Sequence, residues 1–158
     1  NIHPRKEYRI RKDENKRLAM HWSDTDMTGT PNSPTGADTF EQRFPALDEQ
    51  QDDPLSIYHY YKNALRVRNE NPELARGESK IVSGLTFGSV SAISKTWQDT
   101  TILVVCNIGE SAAQVSLADT DFATWALNNS LTTGEDAITL DDGVLTLPMY
   151  AIAVLREG

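Results

Sequence analysis

A chain of 158 residues with 39% hydrophobic and 24% charged residues has room for one ordinary domain, or for one small domain joined to a piece of something larger. No apolar run approaches the roughly 20 residues needed to cross a bilayer, so no helical membrane span is expected. The net charge of −8 conceals a basic start: seven of the 15 Lys and Arg fall in residues 1–17, a local balance of +4 against −12 for the remainder. Acids interrupt that tract and it lacks the aromatic series of a base-stacking platform, so it reads as solvated surface and nucleic acid is not an expected partner.

Asn1 stands where a natural start would have Met, and no basic-then-apolar leader follows, so the sequence reads as beginning at an internal point. The composition suits a secreted and a cytoplasmic protein equally. Residues 1–52 form a polar segment rich in Pro, Gly, Thr, Asp and Gln with no sustained period, expected to be a long loop that is functional, disordered or supported by a missing partner. Within it, RLAMHWSDTDMTGT places Trp22 before a run of small polar residues. Asp24, Asp26, Thr28 and Gly29 have the look of an opening calcium loop, but Thr35 stands where the closing bidentate Glu belongs, so no metal is expected.

A helix is expected over 54–71. Asp53 is the N-cap and Pro54 suits the first turn, and Ile57, Tyr58, Tyr61, Ala64, Leu65 and Arg68 recur at helical spacing as the face to be buried. Pro72 forces the end near Asn71. So wide an aromatic face requires a large cover.

From about residue 79 the period becomes that of strands. Eight are expected: 79–83, 89–97, 100–108, 112–117, 123–128, 136–140, 143–147 and 150–157, separated by Gly, Asp and Asn turns. Their number and spacing give a mainly β fold, an antiparallel β-sandwich of Greek-key type. TTILVVCNI, apolar almost throughout, is its central strand, with Cys106 a buried and inert thiol. In SVSAISKTW, Val90, Ala92, Ile93 and Trp97 compete for the core.

The order RLAMHWSDTDMTGTP, then DDPLSIYHYYKNALRVRNENPELARG, then a sandwich ending in LTLPMYAIAVL, resembles the C-terminal part of an α-amylase family (glycoside hydrolase family 13) enzyme. Arg17, Met20 and Trp22 match an Arg-x-x-Met-x-Trp stretch in the loop after the eighth barrel strand, with Ala19 and His21 where Pro and Gln are common. Ser56-Ile57-Tyr58 through Arg68, Glu70-Asn71-Pro72 and Leu74 match the eighth barrel helix. The resemblance implies that residues 1–78 are the tail of a (β/α)8 barrel, loop 1–52 and helix 54–71, and that residues 79–158 are the terminal sandwich, domain C. Loops after barrel strands lie at the active-site face, so Arg17, Met20 and Trp22 become candidate substrate-binding residues at the edge of a sugar cleft. Packing beneath the cleft competes with sugar contact for Met20 and Trp22, as a loop-fixing ion pair does for Arg17.

Retaining glycosidases need a nucleophilic carboxylate and a carboxylic acid roughly 5 Å apart. The resemblance places these, with a third carboxylate, after the fourth, fifth and seventh barrel strands, upstream of this sequence. Asp52-Asp53 and Asp141-Asp142 read instead as a helix cap and a hairpin turn, and His3, His21 and His59 have no ligand or triad spacing. The expectation is a chain without catalytic residues, metal or cofactor. Its partner is the missing upstream barrel, through which the parent enzyme acts on starch-like α-glucans. Alone it should expose an apolar patch and self-associate. Two alternatives stand beside this: a sandwich binding α-glucan through Trp97, Trp125 and Tyr150, and a stand-alone structural domain.

Overall fold

The computed structural model describes residues 22–23 and 45–158, which fall in two compact units, Asn1–Tyr58 and His59–Gly158. Arg17, Met20 and the residues from Asp24 to Thr35 lie outside the described residues.

In the first unit a short helix, α1 (Leu47–Asp52), stands in the segment expected to be loop. At its start the Glu49 carboxylate accepts the Ala46 N–H at 3.0 Å, half of a capping box. Asp53 follows it in extended backbone as its C-cap, and its carboxylate accepts the Leu55 N–H at 2.9 Å in the turn before the next helix, so it is not the N-cap expected of it. Helix α2 (Ile57–Glu70) begins one turn later than expected. It stops at Asn71 because Pro72 has no N–H to continue the ladder, and Pro72 then opens a third helix, α3 (Pro72–Arg76), in the favoured first position.

The second unit holds all eight expected strands: β1 (Glu78–Ile81), β2 (Val90–Trp97), β3 (Thr100–Asn107), β4 (Ala113–Ser116), β5 (Trp125–Leu131), β6 (Thr139–Asp141), β7 (Val144–Leu147) and β8 (Ala151–Glu157). A five-stranded sheet runs β1-β2-β3-β8-β5 and a three-stranded sheet β4-β7-β6, each pairing antiparallel. Strands β6 and β7 are joined by Asp142-Gly143, with φ of 48° and 75°, the paired positive values a two-residue hairpin requires.

Between the sheets Val90, Ala92, Leu103, Val105, Ala153 and Leu155 meet Val115, Leu117, Leu145 and Leu147 in one core. The alternate residues of the same strands supply a second core on the outer face of the large sheet. There Ile102, Val104, Ile152, Val154 and Leu131 pack with Tyr60, Ala64, Val67 and Leu74 from α2 and α3. TTILVVCNI is apolar on both alternations because both of its faces are covered. The contest within β2 resolves the same way: Val90 and Ala92 enter the inter-sheet core, whereas Ile93 and Trp97 are half-buried and stand on the opposite alternation. Cys106 is likewise half-buried on the outer alternation, not enclosed, and desolvation there pushes its thiol up from the ordinary range.

The helix face is corrected. Ile57, Tyr61 and Leu65 are 58%, 65% and 57% exposed, and Arg68 is exposed too. Tyr60, Ala64 and Val67 carry the packing instead, so of the expected face only Ala64 serves on the sheet.

Candidate functional site

Among the described residues no three His, Cys, Asp or Glu come together as a metal could require, and no helix is long and apolar enough to cross a membrane. What stands out is a helix with two apolar sides. The three- and four-residue spacing of an α-helix puts Tyr60, Ala64 and Val67 on one stripe and Ile57, Tyr61 and Leu65 on its neighbour, a single residue earlier or later in each turn. The first stripe is held to the sheet, while the second presents three large apolar side chains to solvent.

The first stripe is fixed by a polar node at the α2–α3 junction. Asn71 is fully buried and uses both ends of its amide. Its Nδ2 donates to the Val67 carbonyl at 2.7 Å and to Asn129 Oδ1 at 2.7 Å. Its Oδ1 accepts from Asn128 Nδ2 at 3.1 Å and from Arg156 Nε and Nη2 at 3.2 and 3.1 Å. Arg156 also pairs with the buried Glu73 carboxylate at 2.9 Å, so α3, β8 and β5 converge on one side chain. A bulge between Leu127 and Asn129 shifts the register of β5 here. Asn128 and Asn129 thereby both reach the node, and Asn129 continues it by donating to Glu70 at 2.9 Å. Hydrogen bonding from Arg66 above all holds the Glu70 carboxyl below its usual range, against a smaller opposing effect of desolvation. Each member has a partner, the condition under which a buried polar network rigidifies a junction.

The aromatic candidates divide. Trp22 is 49% exposed, and its carbonyl accepts the Asp48 N–H at 3.2 Å, which ties it to the first turn of α1. Trp97 is half-buried with the Arg76 guanidinium over its ring at 5.0 Å. Trp125 is packed against the inter-sheet core, edge-on to Phe122 at 4.9 Å. Tyr150, at φ 50°, is exposed, with its hydroxyl 3.4 Å from Glu110. Asp142 is a turn residue, as expected, and Asp141 closes β6 ahead of it.

Two features escaped sequence reasoning. The first is the node, whose Asn71 and Asn129 are 58 residues apart; its only trace was the Glu70-Asn71-Pro72 match. The second is Asn107, buried where β3 ends. It donates to the carbonyls of Ser111 and Pro148 at 2.8 Å each and accepts from the Ser89 hydroxyl and the Gly109 N–H at 2.9 and 3.0 Å, pinning three loops at one end of the sandwich.

No protein-family model matches the chain. It is 32% identical over 72 residues to a probable alpha-glucosidase of Rhizobium meliloti (strain 1021), a match of 46% of this chain and 13% of that protein. Among solved structures it is similar to Eubacterium rectale Amy13B, at 32% identity over 94% of this chain and with a TM-score of 0.86. The fold recurs in an alpha-amylase from H. orenii at 22% identity and a TM-score of 0.64, and in the alpha-glucosyl transfer enzyme XgtA at 20% and 0.62. The chain spans only 29%, 26% and 25% of these three structures. Eight antiparallel strands, the helix that precedes them and the identity to Amy13B over nearly the whole chain give one answer: the chain is similar to the C-terminal part of α-amylase family enzymes.

Proposed function

We propose that the chain is the non-catalytic C-terminal region of an α-glucan-acting glycoside hydrolase of α-amylase or α-glucosidase type, and that it closes and braces a catalytic barrel. In this reading residues 1–78 belong to the barrel, α2 is its last helix, and the sandwich from residue 79 is a clamp on the outside of that helix. The observation that carries it is the second stripe of α2. A helix that served the sandwich alone would be polar where Tyr61 and Leu65 stand exposed, whereas a barrel helix needs apolar contacts on more than one side. The node then has a task, which is to hold α2 at one height on the sandwich while a neighbour packs on its free side.

The chemistry is assigned elsewhere in the enzyme. A glycosidic bond broken with retention requires two carboxyl groups on opposite sides of the sugar. The prominent carboxylates of this chain are committed: Asp53 to the turn between α1 and α2, Glu73 to Arg156, and Glu70 to Arg66 and Asn129. The exposure of Trp22 supports a place for it, with Arg17 and Met20, on the wall of the sugar cleft.

Purified chain is expected to release no reducing sugar from starch, maltotriose or isomaltose. Turnover that survives purification and disappears when one of the chain's own carboxylates is replaced would overturn this reading. The exposed Tyr150 favours a second reading, α-glucan binding by the sandwich. Retardation in a starch-containing gel, abolished by Tyr150→Ala, would establish it.

A further inference from the structure

The hairpin between β6 and β7 holds the one Asp-Gly pair in the sequence, Asp142-Gly143. The last paired residues are Asp141 and Val144, so Asp142 and Gly143 lie outside the ladder and the Gly143 N–H takes no part in it. Asp142 is exposed, and a Cβ placed on Gly143 would meet only the Ala118 amide nitrogen at 3.8 Å, so neither residue is hemmed in. Both stand at positive φ, 48° and 75°. Two-residue hairpins use two turn forms, I′ and II′, which share a positive φ at the first position and differ by rotation of the peptide between the two residues. In the II′ form ψ of the first residue is about −120°. That angle eclipses the following nitrogen with Cβ of the first residue, the arrangement in which this nitrogen closes a five-membered ring on the side-chain carboxyl carbon. Glycine takes either sign of φ, so Asp142 comes into line by one peptide rotation with its own φ unchanged.

We propose that Asp142 is a site of spontaneous isomerisation to isoaspartate. The Gly143 nitrogen attacks Cγ of the un-ionised Asp142 carboxyl. A new N–C bond forms, the nitrogen gives up its proton and the carboxyl its hydroxyl, and the two leave as one water. Water then opens the ring. Addition at Cγ restores aspartate, whereas addition at the Asp142 main-chain carbonyl carbon leaves the chain running through Cβ and Cγ, with a free α-carboxylate at an exposed tip. That carboxylate is the group a protein-carboxyl methyltransferase would take. The change reaches the core as well. The Gly143 carbonyl accepts the N–H of the fully buried Leu117 at 2.8 Å, and an extra backbone methylene ahead of Gly143 displaces that acceptor. Asp119 supplies an internal contrast: its φ is 58°, but the β-branched Thr120 follows it, with its N–H already donated to the Leu117 carbonyl at 3.3 Å.

The purified 158-residue chain is incubated warm at neutral pH, native and in urea, then digested and read by mass spectrometry with electron-transfer fragmentation, which separates isoaspartate from aspartate. In the native chain isoaspartate should form at Asp142 at least about tenfold faster than at Asp119, and within about tenfold of its own rate in urea, since the reaction needs no local unfolding. A transient species lighter by one water should precede it, and the isomerised fraction should melt at a lower temperature. Gly143→Ala, strained at this φ and crowded at the attacking nitrogen, should slow the reaction by about tenfold or more. A native rate at Asp142 more than about tenfold below that in urea would overturn the proposal, because the turn would then react only by unfolding. So would a native rate at Asp142 no greater than that at Asp119. Both comparisons use the unsubstituted chain, so they hold even if Gly143→Ala fails to fold.

Discussion

Removing the Asn71 side chain should be among the most damaging single changes available in the chain. Asn71→Ala deletes both donated bonds and all three accepted ones. The Val67 carbonyl keeps the Asn71 backbone N–H at 3.1 Å, so its loss is partial. Asn129 Oδ1 keeps Asn128 at 2.6 Å. Arg156 is the heavy term: its guanidinium, largely enclosed, loses the acceptor of two N–H groups and retains only Glu73. A hydrogen bond to a charged group contributes about 1.5–3 kcal/mol and a neutral one about 0.5–1.5. One charged and one to two neutral bonds lost without replacement give about 3–4 kcal/mol. For a unit of roughly 100 residues that is a fall in Tm of about 12–30 °C, at roughly 4–8 °C per kcal/mol. Urea titration followed by circular dichroism would show the midpoint falling with the slope unchanged. Asn128→Ala, on an exposed residue that retains none of the node's charge, should cost about 1 kcal/mol or less. A loss below about 1 kcal/mol for Asn71→Ala would refute the node as the fixing point of the helices.

Adjacent stripes of α2 should respond oppositely in the isolated chain: Leu65→Asp should change stability by no more than about 0.5 kcal/mol, whereas Val67→Asp buries an unpaired charge and should cost about 3–5 kcal/mol by thermal melting. Gly109→Val should destabilise the loop end of the sandwich, since even a Cβ at this position would sit 2.6 Å from Ser89 Oγ and 2.8 Å from Ser89 Cβ; amide exchange of residues 107–111 would report it. Because Arg66 lowers the Glu70 pKa in the folded chain, its stabilising effect is complete above the unfolded value near 4.5 and is lost as pH falls through the lowered value; Glu70→Gln should flatten stability in that acid window and nowhere else. Analytical ultracentrifugation of the isolated chain should show reversible self-association weakened by Tyr61→Ser with Leu65→Ser.

Strands were the most legible part of this sequence, because alternation and Gly or Asp turns are local signals. The end of β5 shows the limit. Asn129-Ser130 reads as the start of a turn, yet the strand continues to Leu131 because a bulge recruits Asn128 and Asn129 into contacts with a residue some 58 positions earlier. Helices α1 and α3, of six and five residues, are too short to show a period. The face of α2 was misassigned for a different reason. Both Ile57-Tyr61-Leu65 and Tyr60-Ala64-Val67 satisfy helical spacing, and spacing cannot say which one meets the sandwich. Of the candidate site only Trp22 falls among the described residues. Arg17 and Met20 remain assignments by resemblance, and their sugar contacts would depend on barrel strands outside this sequence.

The most direct test of the account is complementation. The upstream barrel region, expressed without these 158 residues, is assayed for release of reducing sugar from starch while purified chain is added in increasing amounts. The account predicts little or no activity from either part alone and hydrolysis that rises to a plateau near equimolar chain, with Tyr61→Ser and Leu65→Ser together shifting the rise to higher concentration. A barrel equally active with and without the chain, or a chain active by itself, would contradict it.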